Sequence, residues 1–561
     1  MRIAPLLFLT LVMLEPDFAQ QRWHARSVVY STGGIVATSQ TLASAAGAQV
    51  LARGGSAADA AIAANIVMTV VEPMSNGIGG DLFAIVRDAK TGQIQGLNAS
   101  GPAPAGLTIK LLKDQGEKEM PQYSIHSVTV PGCVRGWADL HARYGKLPWA
   151  ELFAPAIHYA EQGFPVTELI AAQWGGSATF KKLAADADSA PLLPGGKPPA
   201  LGQVYRNPEL AVALRLIAKE GPAAFYNGAI AKAILAKSAK LKGTLSAEDL
   251  SSFQAEWVKT ISTTYRGWTV HEIPPNSQGL AALSMLNLME LHDLGPLDPL
   301  SDKALHIQIE AQKLAYADLA RYVADPRMSK VPVAGLLSKD YAKRRGALID
   351  LKRANCAPVE GEPLPSEGDT IYLSAVDAEG NLVSLIQSIY QGFGSGIAVP
   401  GYGFHLHNRG GLFTLDEKHP NALAPKKRPF NTIIPALMQK DDRHIAFGIM
   451  GGLNQAQAHA QFVSRVADHG MNLQQALEAP RFTRQRFTSG CEVHLENRFP
   501  APTVTGLVER GHIIRPVGPF SLDMGGGQAV EFNSSTKVKS GGSSPRKDGA
   551  AVPETPAYWK P

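Results

Sequence analysis

Cysteine is scarce in this chain. The three in 561 residues, Cys133, Cys356 and Cys491, lie far apart. An odd, sparse set supplies neither a disulfide framework nor the paired spacing of a metal motif, so the expectation is three isolated thiols with no catalytic part. Charge is also low, at 18% of residues with a net +5, and no basic run is interleaved with aromatics, which argues against a nucleic-acid partner. After the first residues no segment reaches membrane-spanning length without a charge or a proline, so no membrane span is expected. The glycine-dense stretch Glu72-Pro73-Met74-Ser75-Asn76-Gly77-Ile78-Gly79-Gly80-Asp81 lacks the spacing of a dinucleotide or phosphate loop and reads as a backbone turn. No metal site or cofactor motif appears, so the expected cofactor is none. What remains is a globular composition, 45% hydrophobic and long enough to bury a large core, whose partner is a small molecule.

The chain opens with Met1-Arg2 and an apolar stretch from Ile3 to Leu14, followed by Glu15-Pro16-Asp17. A charged start and a short apolar core predict a signal peptide over residues 1–22, hence a secreted or periplasmic protein. From Gly34 a short strand leads into an Ala-rich helix stopped by Gly54-Gly55. Ser56 then caps a second Ala-rich helix with Asp59 in its first turn, and a strand follows from Leu82 to Val86. The middle of the chain is largely helical. One helix starts after the Leu147-Pro148 turn, and a long one runs from His306 to Tyr322, with His306, Glu310 and Lys313 at helical spacing. Those three predict a solvated or salt-bridged face. A Pro- and Gly-rich connection from Cys356 to Gly368 precedes the strand-rich remainder. The tail after Asn533 is rich in Ser, Gly and Lys.

The most informative segment is Gly368-Asp369-Thr370-Ile371-Tyr372-Leu373-Ser374-Ala375-Val376, which sets a threonine at the head of an alternating strand. With the strand Leu382 to Ile389 it reads as a β-hairpin around Asp377-Ala378-Glu379-Gly380-Asn381. If the chain is cut before Thr370, that residue carries a hydroxyl nucleophile and an α-amino base together. An unperturbed α-amino pKa of about 7.7 to 8.0 leaves part of that amine neutral near physiological pH. Further on, Gly451-Gly452 can offer backbone N–H groups to a developing oxyanion, or can simply be a turn.

These segments, in order, resemble the γ-glutamyltransferase (glutathione hydrolase) family from Gly34 to Ala551. The motifs that carry the resemblance include Leu51-Ala52-Arg53-Gly54-Gly55-Ser56-Ala57-Ala58-Asp59-Ala60, Pro274-Pro275-Asn276-Ser277-Gln278-Gly279, Lys427-Arg428-Pro429 and Gly451-Gly452. The resemblance implies an N-terminal nucleophile hydrolase, an α/β (α+β) protein built as a four-layer αββα sandwich. It implies a precursor that cuts itself into a large subunit, 23–369, and a small catalytic subunit, 370–561. Thr370 aligns with the nucleophile, Ser388 with a hydroxyl residue that assists it, and Gly451 and Gly452 with the oxyanion turn. Tyr390, Asn431 and Thr432 fall on substrate-binding positions.

Several positions depart from the family pattern. Around Asn98-Ala99-Ser100-Gly101 no arginine is present for the substrate α-carboxylate, and His407-Asn408-Arg409-Gly410-Gly411 replaces the acidic residue that holds the α-amino group. The segment from Phe413 to Pro425 is shorter than a lid-bearing loop, as in cephalosporin-acylase-like relatives. The favoured expectation is a self-cleaving γ-glutamyltransferase or glutathione hydrolase. The alternatives are an amidohydrolase or acylase acting on a non-glutamyl amide, and an uncleaved, non-catalytic homologue.

Overall fold

The computed structural model describes residues 24–358, 371–484 and 490–556. Thr370 and the preceding residues from 359, which include most of the Cys356 to Gly368 connection, lie outside the described residues, as does the segment 1–22 expected to be a signal peptide.

Two seven-stranded antiparallel sheets face one another. The first runs in space Val29–Ser31, Lys539–Ser543, Gly527–Asn533, Arg443–Ile449, Ala436–Lys440, Trp268–Glu272, Ile261–Tyr265. The second runs Ala550–Pro553, Ile35–Thr38, Ile371–Val376, Leu382–Ser388, Asp81–Arg87, Ile94–Ala99, Glu256–Val258. Helices Gly279–Met289, Asn454–Ala467 and Leu473–Glu478 cover the outer face of the first sheet, and helices Thr41–Ala52, Ala57–Val71 and Cys133–Tyr144 cover that of the second. This is the expected four-layer αββα sandwich. Both sheets interleave segments from before and after residue 370.

Strand alternation explains why the central strands are apolar on both sides. Along Ile371–Val376, Ile371, Leu373 and Ala375 join the core under the helices, whereas Tyr372 and Val376 join the core between the sheets. The hairpin turn closes as its residues predict. Asp377 Oδ1 accepts from Asn381 N at 2.9 Å, and Asp377 Oδ2 accepts from Ala57 N at 3.0 Å, tying the turn to the first residue of a helix. That helix, Ala57–Val71, carries the capping box that Ser56 and Asp59 announce.

Two expectations need correction. Cys356 and Cys491 form a disulfide, and only Cys133 is free; its buried thiol is pushed far above the usual range by desolvation. The two half-cystines are separated by 135 positions, and only the fold brings them together. The face bearing His306, Glu310 and Lys313 holds the expected ion pair, Lys313 Nζ to Glu310 Oε1 at 2.6 Å, but it is buried rather than solvated. The cause is position: helix Asp302–Tyr322 lies between helices Gly279–Met289 and Ala501–Glu509. The Ser- and Gly-rich tail is structured, supplying strand Lys539–Ser543 to one sheet and Ala550–Pro553 to the other.

Candidate active site

The site is assembled around the head of the Ile371–Val376 strand. Ile371, the residue after Thr370, pairs with Gln387, and Ser388 at the end of the neighbouring strand pairs with Asp81. Beyond turning the chain, the glycine-dense stretch before Asp81 lets backbone approach backbone closely. A Cβ on Gly79 would lie 2.2 Å from the His405 carbonyl oxygen, and one on Gly80 would lie 2.4 Å from that of Ser388. This packing sets Asp81 against the loop that carries Arg409.

Asp81 and Arg409 form a bidentate pair, with Arg409 Nε donating to Asp81 Oδ2 at 2.9 Å and Nη2 to Oδ1 at 3.1 Å. Both side chains are buried. Asn431 Nδ2 donates to Asp81 Oδ2 at 2.7 Å, and Arg409 Nη1 donates to Thr432 Oγ1 at 3.0 Å. The guanidinium carbon lies 4.7 Å from the centre of the Tyr390 ring. Tyr390 itself has φ +74°, and its N–H donates to Ser388 Oγ at 2.7 Å. A tyrosine in the left-handed region is uncommon, and such backbone concentrates at functional sites.

The Pro274-to-Gly279 motif positions this group. Asn431 N donates to the Asn276 carbonyl at 2.8 Å, and Asn276 Nδ2 to that of Pro429 at 2.7 Å. Gln278 Nε2 donates to the carbonyls of Thr432 and Gly452, the latter at 2.8 Å, joining the substrate-binding candidates to the glycine turn.

Gly451 and Gly452 have φ of +122° and +57°, and helix Asn454–Ala467 begins directly behind them, adding the positive end of its dipole. Asn454 is fully buried, yet among the described residues neither Nδ2 nor Oδ1 has a hydrogen-bond partner. Gly451 lines a cleft of about 1300 Å³ together with Gln391, Gly392, Lys182, Arg484 and Cys491. The Phe413 to Pro425 segment folds back on itself, with Leu423 N donating to the Thr414 carbonyl at 2.9 Å. It packs beside Leu107 and Leu112 and does not line this cleft.

Ser388, Tyr390, Asn431, Thr432 and Gly452 are thus linked by a continuous chain of contacts, while Thr370 lies outside the described residues. Sequence reasoning missed Asp81 and Asn454. The signal for Asp81 was present: a carboxylate heading the apolar run Leu82-Phe83-Ala84-Ile85-Val86 needs a buried cationic partner.

The gamma-glutamyltranspeptidase family model matches residues 43–554. The chain belongs to this family. It is 36% identical over 530 residues to the glutathione hydrolase-like YwrD proenzyme of Bacillus subtilis (strain 168), covering 93% of this chain and 99% of the relative. It is 37% identical over 534 residues to the acylase ACY 1 proenzyme of Pseudomonas sp. (strain SE83), covering 92% and 93%. The structure of a cephalosporin acylase from Bacillus halodurans superposes with a TM-score of 0.89 at 42% identity, covering 98% of this chain and all of that one. The fold is that of the N-terminal nucleophile hydrolases, and the chain stands close to the acylase-like, lid-less members of its family. No helix among the described residues is long and apolar enough to cross a membrane.

Proposed function

We propose that this protein is a self-processing amide hydrolase whose acyl group lacks the paired α-ammonium and α-carboxylate of a γ-glutamyl compound. The observation that carries this reading is the closed Asp81–Arg409 pair among the substrate-binding candidates Tyr390, Asn431 and Thr432. A zwitterionic head must break that buried pair to reach either charge. An acyl group without one leaves it intact, and breaking a buried pair is costly. Similarity to acylases supports the same direction.

In this account Thr370 first attacks the Asp369 carbonyl, shifting the acyl bond from nitrogen to oxygen. Water then hydrolyses the ester, leaving a carboxylate on residue 369 and a free amine on Thr370. In the mature protein the Thr370 hydroxyl attacks the substrate amide and its α-amine takes the proton. The oxyanion is met at Gly451-Gly452, the α-ammonium gives its proton to the substrate nitrogen, which leaves as a free amine, and water or a second amine then releases the acyl group. Ser388 holds the Tyr390 backbone beside the strand head, and Asn431 and Thr432 hold the charge pair. The large and small subunits are the products of this one cleavage, and the precursor belongs to an exported, secreted or periplasmic setting.

A second reading, γ-glutamyl transfer or glutathione hydrolysis, is favoured by the presence of one anionic and one cationic side chain where a zwitterion needs one of each. A panel of glutathione, a γ-glutamyl anilide, a glutaryl amide and oxamate, each with and without an acceptor dipeptide, separates the two. Turnover of the non-glutamyl amides with little acceptor stimulation supports the first. Micromolar KM for glutathione with strong acceptor stimulation overturns it in favour of the second.

A further inference from the structure

The disulfide joins Cys356, which precedes Thr370 in the chain, to Cys491, which follows it. Its seat is built from both sides. Gly490 N donates to the Cys356 carbonyl at 2.6 Å, Ala354 N to that of Arg510 at 2.7 Å, and Arg510 Nε to that of Leu351 at 3.2 Å. Beneath it, Lys313 Nζ bridges Glu310 Oε1 and the Asn355 carbonyl, at 2.6 and 2.9 Å, and lies 3.8 Å from Cys491 Sγ. Glu310 Oε2 accepts from Asn355 N at 3.2 Å. His306 completes the cluster, bonded through one ring nitrogen to the Asp350 carbonyl and through the other to His512, both at 2.8 Å.

His306, Glu310 and His512 lie close enough together to hold a metal ion. The lysine ammonium already occupies the carboxylate, and both His306 nitrogens are engaged. The cluster is therefore a clamp on residues 350–356 and not a cation site.

We propose that this disulfide is a covalent cross-link between the two subunits of the mature protein, a proposal that rests on cleavage before Thr370. Forming it moves two protons and two electrons from the thiols to a disulfide-bearing oxidant, which leaves as a dithiol, so the chain must pass through an oxidising compartment. Interleaved sheets already hold the subunits together in the native state. The cross-link acts when that packing is lost: it keeps the unfolded subunits as one molecule, so refolding stays unimolecular.

The test is denaturing electrophoresis and intact mass of the purified protein with and without reductant, alongside Cys491→Ser. One species without reductant that separates into two on reduction is the expected result, with Cys491→Ser giving two species under both conditions. After heat unfolding, recovery of activity should be independent of dilution for the unreduced wild type and should fall with dilution for the variant. Two fragments from the unreduced wild type overturn the cross-link while upholding cleavage. A single chain after reduction overturns the cleavage reading and the inter-subunit role with it. In that case alkylation of the denatured, unreduced protein at Cys133 alone still identifies the Cys356–Cys491 bond, and alkylation at all three cysteines removes that too.

Discussion

Asp81 and Arg409 meet through two N–H···O bonds in a place where neither side chain reaches solvent, and each also holds one of the neighbours Asn431 and Thr432. A fork-to-fork contact of this kind fixes geometry as well as charge. The pair thereby fixes the positions of Asn431 and Thr432, two of the substrate-binding candidates.

Asp81→Asn leaves Arg409 as a buried, uncompensated cation, so stability should fall by about 3–5 kcal/mol. The released guanidinium should also favour anionic acyl groups: KM for a glutaryl amide is expected to drop relative to that for an uncharged acyl amide. Thermal unfolding and the ratio of the two KM values check this. An unchanged ratio in a folded, cleaved variant would show that the pair has no part in acyl selection.

Gly451→Ala places a side chain where φ is +122°, a conformation that L-residues rarely adopt, beside Asn454 at 3.3 Å. The turn must shift. If its N–H groups meet the oxyanion, kcat should fall about 10²–10³-fold, the range seen when one such donor is lost. Near-normal kcat in a correctly cleaved variant means that the glycines only turn the chain.

Asn454 offers a sharper separation of structure from catalysis. Its amide is buried with no partner among the described residues, so Asn454→Leu removes an unsatisfied group and should leave stability unchanged or raise it, by up to about 3 kcal/mol. A fall in kcat together with unchanged or higher melting temperature would place this amide among the groups that touch the reacting acyl unit. Unchanged kcat would make it packing alone.

Acid should destabilise the protein in a defined window. Burial lowers His405 to about 3, the nearby Asp186 carboxylate being outweighed, and burial with neighbouring cations lowers His512 to about 2. An unfolded histidine titrates near about 6.5, so in this range the unfolded state binds the extra proton. Stability from these groups is present above about pH 6.5 and is lost as pH falls toward the folded values. Between pH 7 and pH 5 each costs about 2 kcal/mol. Melting temperature against pH checks the slope, and His405→Gln should flatten it.

Local structure was legible wherever side chains dictate it nearby. The Ser56 cap, the Asp377-to-Asn381 turn and the alternation around Tyr372 all follow from residues within a few positions of each other. The candidate site was half legible. Ser388, Tyr390, Asn431, Thr432 and the two glycines are found linked around the strand head, but Asp81 sits in a stretch whose glycines drew attention to turning alone. Its partner is far along the chain, and only the closure of Gly79 and Gly80 against residues 388 and 405 brings the two together. The same distance hid the disulfide. The buried His306 face escaped because a mixed polar stripe looks alike whether it meets water or another helix.

In the proposed mechanism Thr370 is both the cleavage point and the nucleophile. N-terminal sequencing of the reduced small fragment, run beside Thr370→Ala, tests it most directly. The active wild type should give a fragment beginning Thr-Ile-Tyr-Leu-Ser, and the variant a single uncut, inactive chain. A fragment starting elsewhere, or full activity in a chain that is never cut, would contradict it.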